Sequence, residues 1–389
     1  MPRQFEDELD ALKQQSLLRR LREVQSQPGT LMSYAGRRLI NFSSNDYLGL
    51  AGEPFLCEAA KQAIDEYGVG ATASRLVCGT LTPHLALERK LAEFKRTEAA
   101  LSFSSGYATA LGTLNALVGK EDVIIMDKLA HASLIDGARL SGAAIRVFPH
   151  NDMAKLESHL QWAQQEHPDA RVVVVTESVF SMDGDRAPLL EIVELKERYG
   201  ALLLLDEAHA VGVVGANGRG LSERLGLAGR IDIQMGTLSK ALGVAGGYIC
   251  GKQSLIDWLI NRARSFVYST APPAALAAAA TASIEFMQSA AGEERRRRLW
   301  ENLKILAAGL PPGLTPEKLQ SAIVPVMLGE EERALGASKM FFDRGFFVPA
   351  IRYPTVARGT ARLRLTISAA HTAEEIQSVT EALWKLTEE

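Results

Sequence analysis

The stretch ALLLLDEAHAVGVVG, residues 201–215, decides how the rest of the chain is interpreted. Five apolar residues lead into Asp206, and His209 follows three residues later. A continuous apolar run of this length is typical of a strand buried on both faces of a parallel sheet. Ligands of open α/β sheets bind at the carboxyl ends of the strands, so this acid would face a cleft. An isolated aspartate at such a position could instead serve only the fold, as a helix cap or as one partner of a buried salt bridge.

Similar strand patterns recur on both sides of this stretch, with helical patterns between them. The other predicted strands are 122–126, 144–148, 171–176, 231–235 and 247–250, and the clearest helices are 108–118, 153–165 and 189–198. Repeated β-α units predict an α/β fold in which helices flank a mainly parallel sheet.

The two ends of the chain have different patterns. Apolar residues recur at helical spacing near the N-terminus and predict an amphipathic helix that ends before Pro28-Gly29; they are Phe5, Leu9, Leu12, Leu17, Leu18 and Leu21. After residue 313, short strands alternate with helices, which predicts a smaller α+β domain. We therefore expect an N-terminal helix and arm at 1–45, a large domain at 46–283 and a small C-terminal domain at 284–389.

Composition excludes several classes of protein. The 43 basic and 46 acidic side chains give a net charge of −3, which provides no general attraction to nucleic acid or to an anionic membrane. The basic run at 293–298 is better explained as a solvated helix face. Three scattered cysteines form no CxxC pair, and the seven histidines form no zinc signature, so no metal site is predicted. Without a signal or membrane-spanning pattern, we expect a cytoplasmic protein.

A second informative stretch is GTLSKALGVAGG, residues 236–247. Lys240 lies among small residues just after a predicted strand. Little bulk surrounds its amine, which suits a lysine that must react with a carbonyl group. A lone lysine of this kind is more often an ordinary surface residue.

Taken together, these residues suit one cofactor. Pyridoxal phosphate (PLP) requires an amine for its aldehyde, a carboxylate for its pyridine nitrogen and a cradle for its phosphate. Lys240 and Asp206 supply the first two. The small-residue turn 103–108 opens a helix, where free N–H groups and the helix dipole favour an anion. Thr237 can add a hydroxyl group.

The sequence resembles the α-oxoamine synthase family of fold-type I PLP-dependent enzymes. The resemblance extends from residue 18 to residue 371. It is carried by NFSSNDYLGL (41–50), SRLVCG (74–79), SSGYA (104–108), DKLAHASLIDG (127–137), TESVFSMDGD (176–185), LLDEAHAVGV (204–213) and GTLSKALG (236–243). These enzymes condense an amino acid with an acyl thioester and release carbon dioxide.

The resemblance implies a role for each matching residue around the cofactor. Lys240 would hold the cofactor covalently and move the substrate's α-proton, and Asp206 would pair with the pyridine nitrogen. His209 would bind the phenolic oxygen, and His131 would stack on the ring and contact substrate. The remaining cofactor contacts would be Ser181, Gly106, Tyr107 and Thr237, with Ser269 and Thr270 reaching the partner subunit's cofactor in a homodimer whose active sites lie at the subunit interface.

Two segments, 267–274 and 350–371, resemble the biotin-pathway branch of the family. The resemblance implies condensation of L-alanine with pimeloyl-CoA or a pimeloyl carrier protein. Arg352 would bind the amino-acid carboxylate, because a guanidinium fork suits a carboxylate. Asn45 would assist it, and Arg19 and Thr355 would contact the acyl substrate.

Two alternatives stay open at this point. The first is another member of the same family, such as glycine C-acetyltransferase (2-amino-3-ketobutyrate CoA ligase), which would use a different amino acid and acyl-CoA. The second is a nucleotide-binding or non-enzymatic α/β protein. Only glycine-rich turns favour it, and no GxGxxG pattern follows an early strand.

Overall fold

The computed structural model describes residues 5–313 and 315–387. They fall into two compact units. The larger unit comprises residues 48–181 and 185–297, and the smaller takes the described residues of 1–47, 182–184 and 298–389. The predicted three-part division at 45 and 283 stays a prediction.

The described residues form thirteen strands and fourteen α-helices. The strands are β1 Leu31–Tyr34, β2 Arg37–Asn41, β3 Ala99–Phe103, β4 Val123–Asp127, β5 Ala144–Phe148, β6 Val172–Glu177, β7 Leu202–Asp206, β8 Ile233–Thr237, β9 Gly247–Gly251, β10 Ile323–Gly329, β11 Phe346–Phe347, β12 Ala350–Ile351 and β13 Ala361–Thr366. The helices are α1 Phe5–Gln14, α2 Pro54–Tyr67, α3 Thr82–Lys95, α4 Gly106–Leu117, α5 Ala132–Ser141, α6 Met153–Glu166, α7 Leu189–Arg198, α8 Leu221–Arg224, α9 Gln253–Arg262, α10 Arg264–Val267, α11 Ala274–Gln288, α12 Ala290–Gly309, α13 Glu331–Asp343 and α14 Ala373–Trp384.

The larger unit is built on one sheet with the order β3-β9-β8-β7-β6-β4-β5. Strands β8, β7, β6, β4 and β5 are parallel, and β9 is antiparallel to both β8 and β3. Every residue of β4, β8 and β9 is buried, as expected of strands covered on both faces. The mainly parallel sheet predicted from the sequence is confirmed.

Several predicted strands extend further at their carboxyl ends than their apolar residues indicated. The strands β4, β6 and β7 each end on a buried acid, namely Asp127, Glu177 and Asp206. Apolar periodicity stops before such a residue, although its backbone continues the ladder. The acids therefore belong to the rigid sheet rather than to the loops that follow.

The N-terminal helix is shorter than predicted, and this expectation was wrong. Helix α1 ends at Gln14, and Ser16 has a positive φ of 57°, which a helix cannot continue. Leu21 is fully exposed beyond it. Arg19 consequently lies in a segment without regular secondary structure and not on a helix.

The smaller unit contains two three-stranded sheets. Their orders are β1-β2-β11 and β10-β13-β12. Strand β13 is buried along its whole length, and α14 buries Ile376, Val379 and Leu383. The α+β pattern predicted for the C-terminal region is therefore present. Within the part of the chain that the structure describes, no helix combines the length and hydrophobicity needed to cross a membrane.

Candidate active site

Five of the residues predicted to bind the cofactor lie along one edge of the large sheet. Asp206 ends β7 and Thr237 ends β8, and these strands run parallel. Gly106 begins α4 shortly after β3, and His131 is the N-cap of α5 after β4. Lys240 follows β8 by three residues. The topology thus gathers residues that are distant in sequence at the carboxyl edge of the strands, as the sequence predicts.

Asp206 is a buried carboxyl at the centre of this edge. Its Oδ1 accepts a hydrogen bond from the Ala208 backbone N–H at 2.9 Å. Burial raises the pKa of Asp206, while the charge of Lys240 and the Ala208 hydrogen bond act in the opposite direction. A cationic ring nitrogen against this carboxyl would lower the pKa again, because an opposite charge favours the ionised form. The site therefore fits the protonated nitrogen of PLP.

His131 has a defined tautomer. Its Nδ1 accepts a hydrogen bond from the backbone N–H of Ser133 at 3.2 Å. The same atom is hydrogen-bonded to the Ser133 hydroxyl at 2.8 Å. Because a backbone N–H can only donate, Nδ1 is the acceptor and the neutral ring carries its proton on Nε2. Desolvation lowers the pKa of His131. The imidazole is therefore mainly neutral at pH 7.

Lys240 lies close enough to three groups to shift their ionisation. Burial is the largest influence on the pKa of Asp206, Glu177 and His131, and it raises the first two and lowers the third. The charge of Asp206 comes next for Glu177 and His131, and the charge of Lys240 acts to lower the pKa of all three groups. The structure therefore brings the predicted amine, carboxylate and imidazole into one electrostatic cluster. Lys240 itself is half-buried.

A compact cradle lies beside this cluster. The Ser105 hydroxyl caps α4 by accepting from the Ala108 N–H at 3.1 Å. A Cβ added to Gly106 would lie 3.5 Å from Thr237 Oγ1, so the first residue of α4 faces the predicted threonine. A Cβ added to Gly247 would lie 2.9 Å from Gly106 N. Glycine at position 247 therefore permits the close approach of β9 to this helix end, which presents free N–H groups to an anion.

Other predicted cofactor contacts lie in the same unit. Tyr107 donates its hydroxyl hydrogen to Asp136 Oδ2 at 2.5 Å, and this hydrogen bond raises the pKa of Tyr107. His209 is buried after β7, and Ser181 is half-buried after β6. Their roles, like the backbone contacts predicted for Gly106 and Tyr107, stay predictions.

Ser269 and Thr270 follow α10 in the larger unit. Thr270 is exposed and forms an isolated antiparallel bridge with Ser74. The Ala271 N–H donates to the Ala73 carbonyl at 2.9 Å. This pairing fixes the two segments to each other, and the predicted contact with a partner subunit stays a prediction.

Apart from His131, the predicted substrate-binding residues lie in the smaller unit. Arg19 Nη2 donates to Thr355 Oγ1 at 3.0 Å, and both residues line a cavity of about 630 Å³ with Arg22 and Arg352. Burial lowers the pKa of Arg352, and the charges of Arg19 and Arg22 lower it further. Arg20 also lines this cavity, so four guanidinium groups surround it and favour an anionic ligand, and their fork geometry suits carboxylates.

The Asn45 side chain accepts two hydrogen bonds within the smaller unit. Its Oδ1 accepts hydrogen bonds from Arg364 Nη2 at 3.1 Å and from the Tyr47 hydroxyl at 3.3 Å. These bonds fix the orientation of the amide. Its predicted role in binding substrate stays a prediction.

Sequence reasoning missed two features of the larger unit. Glu177 is a second buried acid beside Asp206, and the signal was its position at the end of a β-branched run. His150 lies between Asp127 and Asp185, at 3.0 and 2.8 Å. Burial alone would lower the pKa of His150, but the two aspartates raise it to about 10. No local pattern indicated this bridge, because its members come from three separate segments.

Comparison with known proteins places these observations in a family. Residues 37–383 match the family described as aminotransferase class I and II. The 8-amino-7-oxononanoate synthase of Thermoanaerobacter pseudethanolicus is 45% identical over 384 residues, covering 98% of this chain and 96% of the relative.

Solved structures agree with the sequence comparison. Serine palmitoyltransferase from S. paucimobilis, with bound PLP and myriocin, has a TM-score of 0.92 and 33% identity, covering 98% of this chain and 96% of that chain. The 8-amino-7-oxononanoate synthase from Francisella tularensis has a TM-score of 0.75 and 28% identity, covering 90% and 98%.

These comparisons confirm the predicted fold-type I architecture of PLP-dependent transferases and the prediction of an enzyme. The alternative of a non-enzymatic or nucleotide-binding protein finds no support in them. The chain belongs to the aminotransferase class I and II family, in which relatives 45% identical to it are 8-amino-7-oxononanoate synthases.

Proposed function

We propose that the protein catalyses the PLP-dependent condensation of L-alanine with a pimeloyl thioester, which yields 8-amino-7-oxononanoate, carbon dioxide and the free thiol. The observation that carries this proposal is the cluster of Lys240, Asp206 and His131 at the carboxyl edge of the sheet. The names of the relatives support the choice of reaction within the family.

The larger unit offers the groups that PLP requires. Lys240 would hold its aldehyde, Asp206 its ring nitrogen and His209 its phenolic oxygen. Gly106, Tyr107 and Thr237 would bind its phosphate, and Ser181 a polar edge. When bound, PLP supplies an electron sink that stabilises negative charge at the amino acid's α-carbon.

Side chains of the protein would then move the α-proton of the amino acid and stabilise the charge that develops on the cofactor ring. Lys240 removes the α-proton as a general base once its amine is released from the cofactor. Asp206 stays ionised beside the ring nitrogen and so stabilises charge where it develops. The neutral imidazole of His131 would cover the ring face, and its Nε2–H would then be available as a hydrogen-bond donor to substrate.

The smaller unit supplies carboxylate-binding residues. L-alanine and a pimeloyl thioester carry one free carboxylate each. We propose that Arg352, assisted by Asn45, binds the carboxylate of alanine, and that Arg19 and Thr355 contact the acyl substrate. Arg22, which lines the same cavity, adds a further positive charge for these carboxylates.

An exposed apolar surface supports the proposed homodimer. Val69, Val77 and Tyr268 are 78%, 78% and 73% exposed. In sequence they flank Ser74 and Thr270, which form an isolated bridge, and Tyr268 directly precedes the residues predicted to reach a partner's cofactor. Apolar side chains this exposed are typical of a surface that a second copy covers. The cytoplasmic location stays a prediction.

A thiol-release assay tests the reaction. We expect release of CoA from pimeloyl-CoA with L-alanine, and none after Lys240→Ala substitution. Glycine with acetyl-CoA and L-serine with palmitoyl-CoA are the comparison pairs, because the structural relatives include a serine palmitoyltransferase. Turnover of either pair, with none of alanine and pimeloyl-CoA, would replace this proposal with another α-oxoamine synthase reaction. A pimeloyl carrier protein assayed in parallel shows which acyl donor is preferred.

A further inference from the structure

His150 forms a bridge between two aspartates that come from separate segments of the larger unit. Its Nδ1 lies 3.0 Å from Asp127 Oδ1, and its Nε2 lies 2.8 Å from Asp185 Oδ2. Carboxylate oxygens only accept hydrogen bonds, so both ring nitrogens donate and the imidazole carries a positive charge. Against the lowering effect of burial, the two aspartates raise the pKa of His150 to about 10, which agrees with this charge. The His150 bridge therefore consists of two charge-assisted hydrogen bonds in series.

Asp127 anchors one end of the bridge to the large sheet. It is the last residue of β4, and its side chain is fully buried. Its Oδ1 accepts a hydrogen bond from the Leu129 N–H at 2.8 Å, and its backbone carbonyl accepts one from the Ala130 N–H at 3.1 Å. These bonds form the turn that leads directly to His131, the N-cap of α5. Asp127 therefore fixes the turn before a predicted cofactor contact and holds His150 at the same time.

Phe180 and Asp185 form the other end of the bridge. The Phe180 N–H donates to the Asp185 carbonyl at 3.0 Å, within a short antiparallel pairing of the two segments. The buried Phe180 ring also packs edge to face against the His150 ring, with centroids 4.3 Å apart. Ser181, a predicted cofactor contact, directly follows Phe180. His150 therefore contacts both paired segments, and one of these contacts is with the residue next to Ser181.

Asn151 reinforces the bridge and leaves His150 as a donor. The Asn151 N–H donates to Asp127 Oδ2 at 3.0 Å. Its Nδ2 lies 3.2 Å from His150 Nε2, but its two hydrogens have acceptors in Asp185 Oδ2 at 3.1 Å and the Arg186 carbonyl at 3.3 Å. An amide nitrogen only donates, so it does not require a lone pair on Nε2. The backbone and side chain of Asn151 thus connect the same segments as His150.

We infer that His150 is a positioning residue whose bridge from Asp127 to Asp185 joins the turn before His131 to the segment that carries Ser181. The bridge keeps these two predicted cofactor contacts in a fixed relation to each other. This inference rests on the proposed function only for the identity of the cofactor. The hydrogen bonds of the bridge are properties of the chain itself.

The first test separates positioning from a general contribution to stability. His150→Gln removes the charged ring, and Asp185→Asn removes one carboxylate while keeping its shape. Asp232→Asn is the matched control, because Asp232 holds the buried Lys196 amine at 2.9 Å just before β8, at the opposite edge of the sheet. All three variants should lose stability in urea, so a general effect of stability on PLP binding would appear in each of them.

We expect the two bridge variants to raise the dissociation constant of PLP about tenfold, as loss of a charge-assisted hydrogen bond predicts. They should also change the visible circular dichroism of the bound cofactor, which depends on the groups around its ring. Asp232→Asn should leave both properties unchanged. Bridge variants that bind PLP within about threefold of wild type, with an unchanged spectrum, would overturn the positioning role. Equal weakening by Asp232→Asn would overturn it as well.

The second test asks whether His150 acts through Asp185. The double variant, which combines His150→Gln with Asp185→Asn, should bind PLP no more weakly than the weaker of the two single variants, because both substitutions break one contact. Losses that multiply would show independent effects and would overturn the bridge. If His150→Gln fails to fold, the comparison of Asp185→Asn with Asp232→Asn decides the inference.

The third test needs no cofactor. Hydrogen exchange of the full-length, PLP-free protein, followed by mass spectrometry of its peptides, reports local opening. We expect His150→Gln to speed exchange in peptides covering 127–131 and 178–187, and Asp232→Asn to leave both at wild-type rates. Wild-type protection of either region in His150→Gln would overturn the inference. Failure of the wild type to bind PLP would refute the proposed function, while the exchange rates would still decide whether the bridge holds the two regions.

Discussion

Asp206→Asn is expected to remove catalytic power while leaving the fold intact. Asparagine has the same shape, and its Oδ1 can still accept the hydrogen bond that Ala208 N–H donates at 2.9 Å. The substitution removes a buried carboxyl whose pKa burial raises, so the uncharged side chain costs the fold little. We expect the free energy of unfolding at pH 7 to change by less than about 1 kcal/mol.

The effect on turnover should be much larger. A hydrogen bond to a charged group contributes about 1.5–3 kcal/mol, and losing preorganised charge where it develops costs about 10²- to 10³-fold in kcat. The assay is release of CoA from pimeloyl-CoA with saturating L-alanine, with PLP occupancy measured by absorbance. Asp257→Asn, an exposed acid on α9, is the matched control and should keep wild-type kcat. A fully loaded Asp206→Asn variant with kcat within about threefold of wild type would refute the role of this carboxylate.

Three other predictions follow from named contacts. Gly247→Ala should weaken PLP binding at least about tenfold, because its Cβ would lie 2.9 Å from Gly106 N. Gly229→Ala is the control, since its Cβ would have no atom within 4 Å, and it should leave the affinity for PLP unchanged. Equal affinities of the two variants would contradict the cradle geometry. Arg75→Ala should lower the free energy of unfolding, measured by urea titration, by about 3–5 kcal/mol. The substitution leaves the buried Glu88 carboxylate without the guanidinium that lies 2.9 Å away. A loss below about 1 kcal/mol would show that this ion pair contributes little. The His150 bridge has a pKa of about 10 in the fold against an ordinary 6.5, so its stabilisation should be complete below pH 6.5 and disappear as pH rises through about 10. Urea titrations of wild type and His150→Gln at both ends of that range check this, and a constant difference in stability would count against it.

The main architecture could be predicted because buried parallel strands leave a clear apolar signal. The run before Asp206 and its counterparts predicted the sheet, and the rule that ligands bind at carboxyl ends predicted the active edge. Motif order placed Lys240, His131 and Thr237 at that edge, and the structure agrees. Local periodicity was sufficient for these features because each depends on one continuous segment.

Other features depend on contacts that no single segment encodes. The N-terminal apolar spacing continued past Gln14, but the helix ends there because Ser16 adopts a positive φ. Glu177 becomes notable only when the register places it beside Asp206. No sequence pattern singled out Arg22, and it becomes notable only where the cavity brings it near Arg352. Charge interactions of this kind require the tertiary structure.

The central claim is that Lys240 holds the cofactor against Asp206. The most direct measurement is borohydride reduction of the PLP-loaded protein, followed by proteolysis and mass spectrometry of the labelled peptide. We expect one reduced pyridoxyl phosphate group per chain, carried by Lys240, with Lys240→Ala giving none. A label on a different lysine, or no label in a fully PLP-treated wild type, would contradict the account.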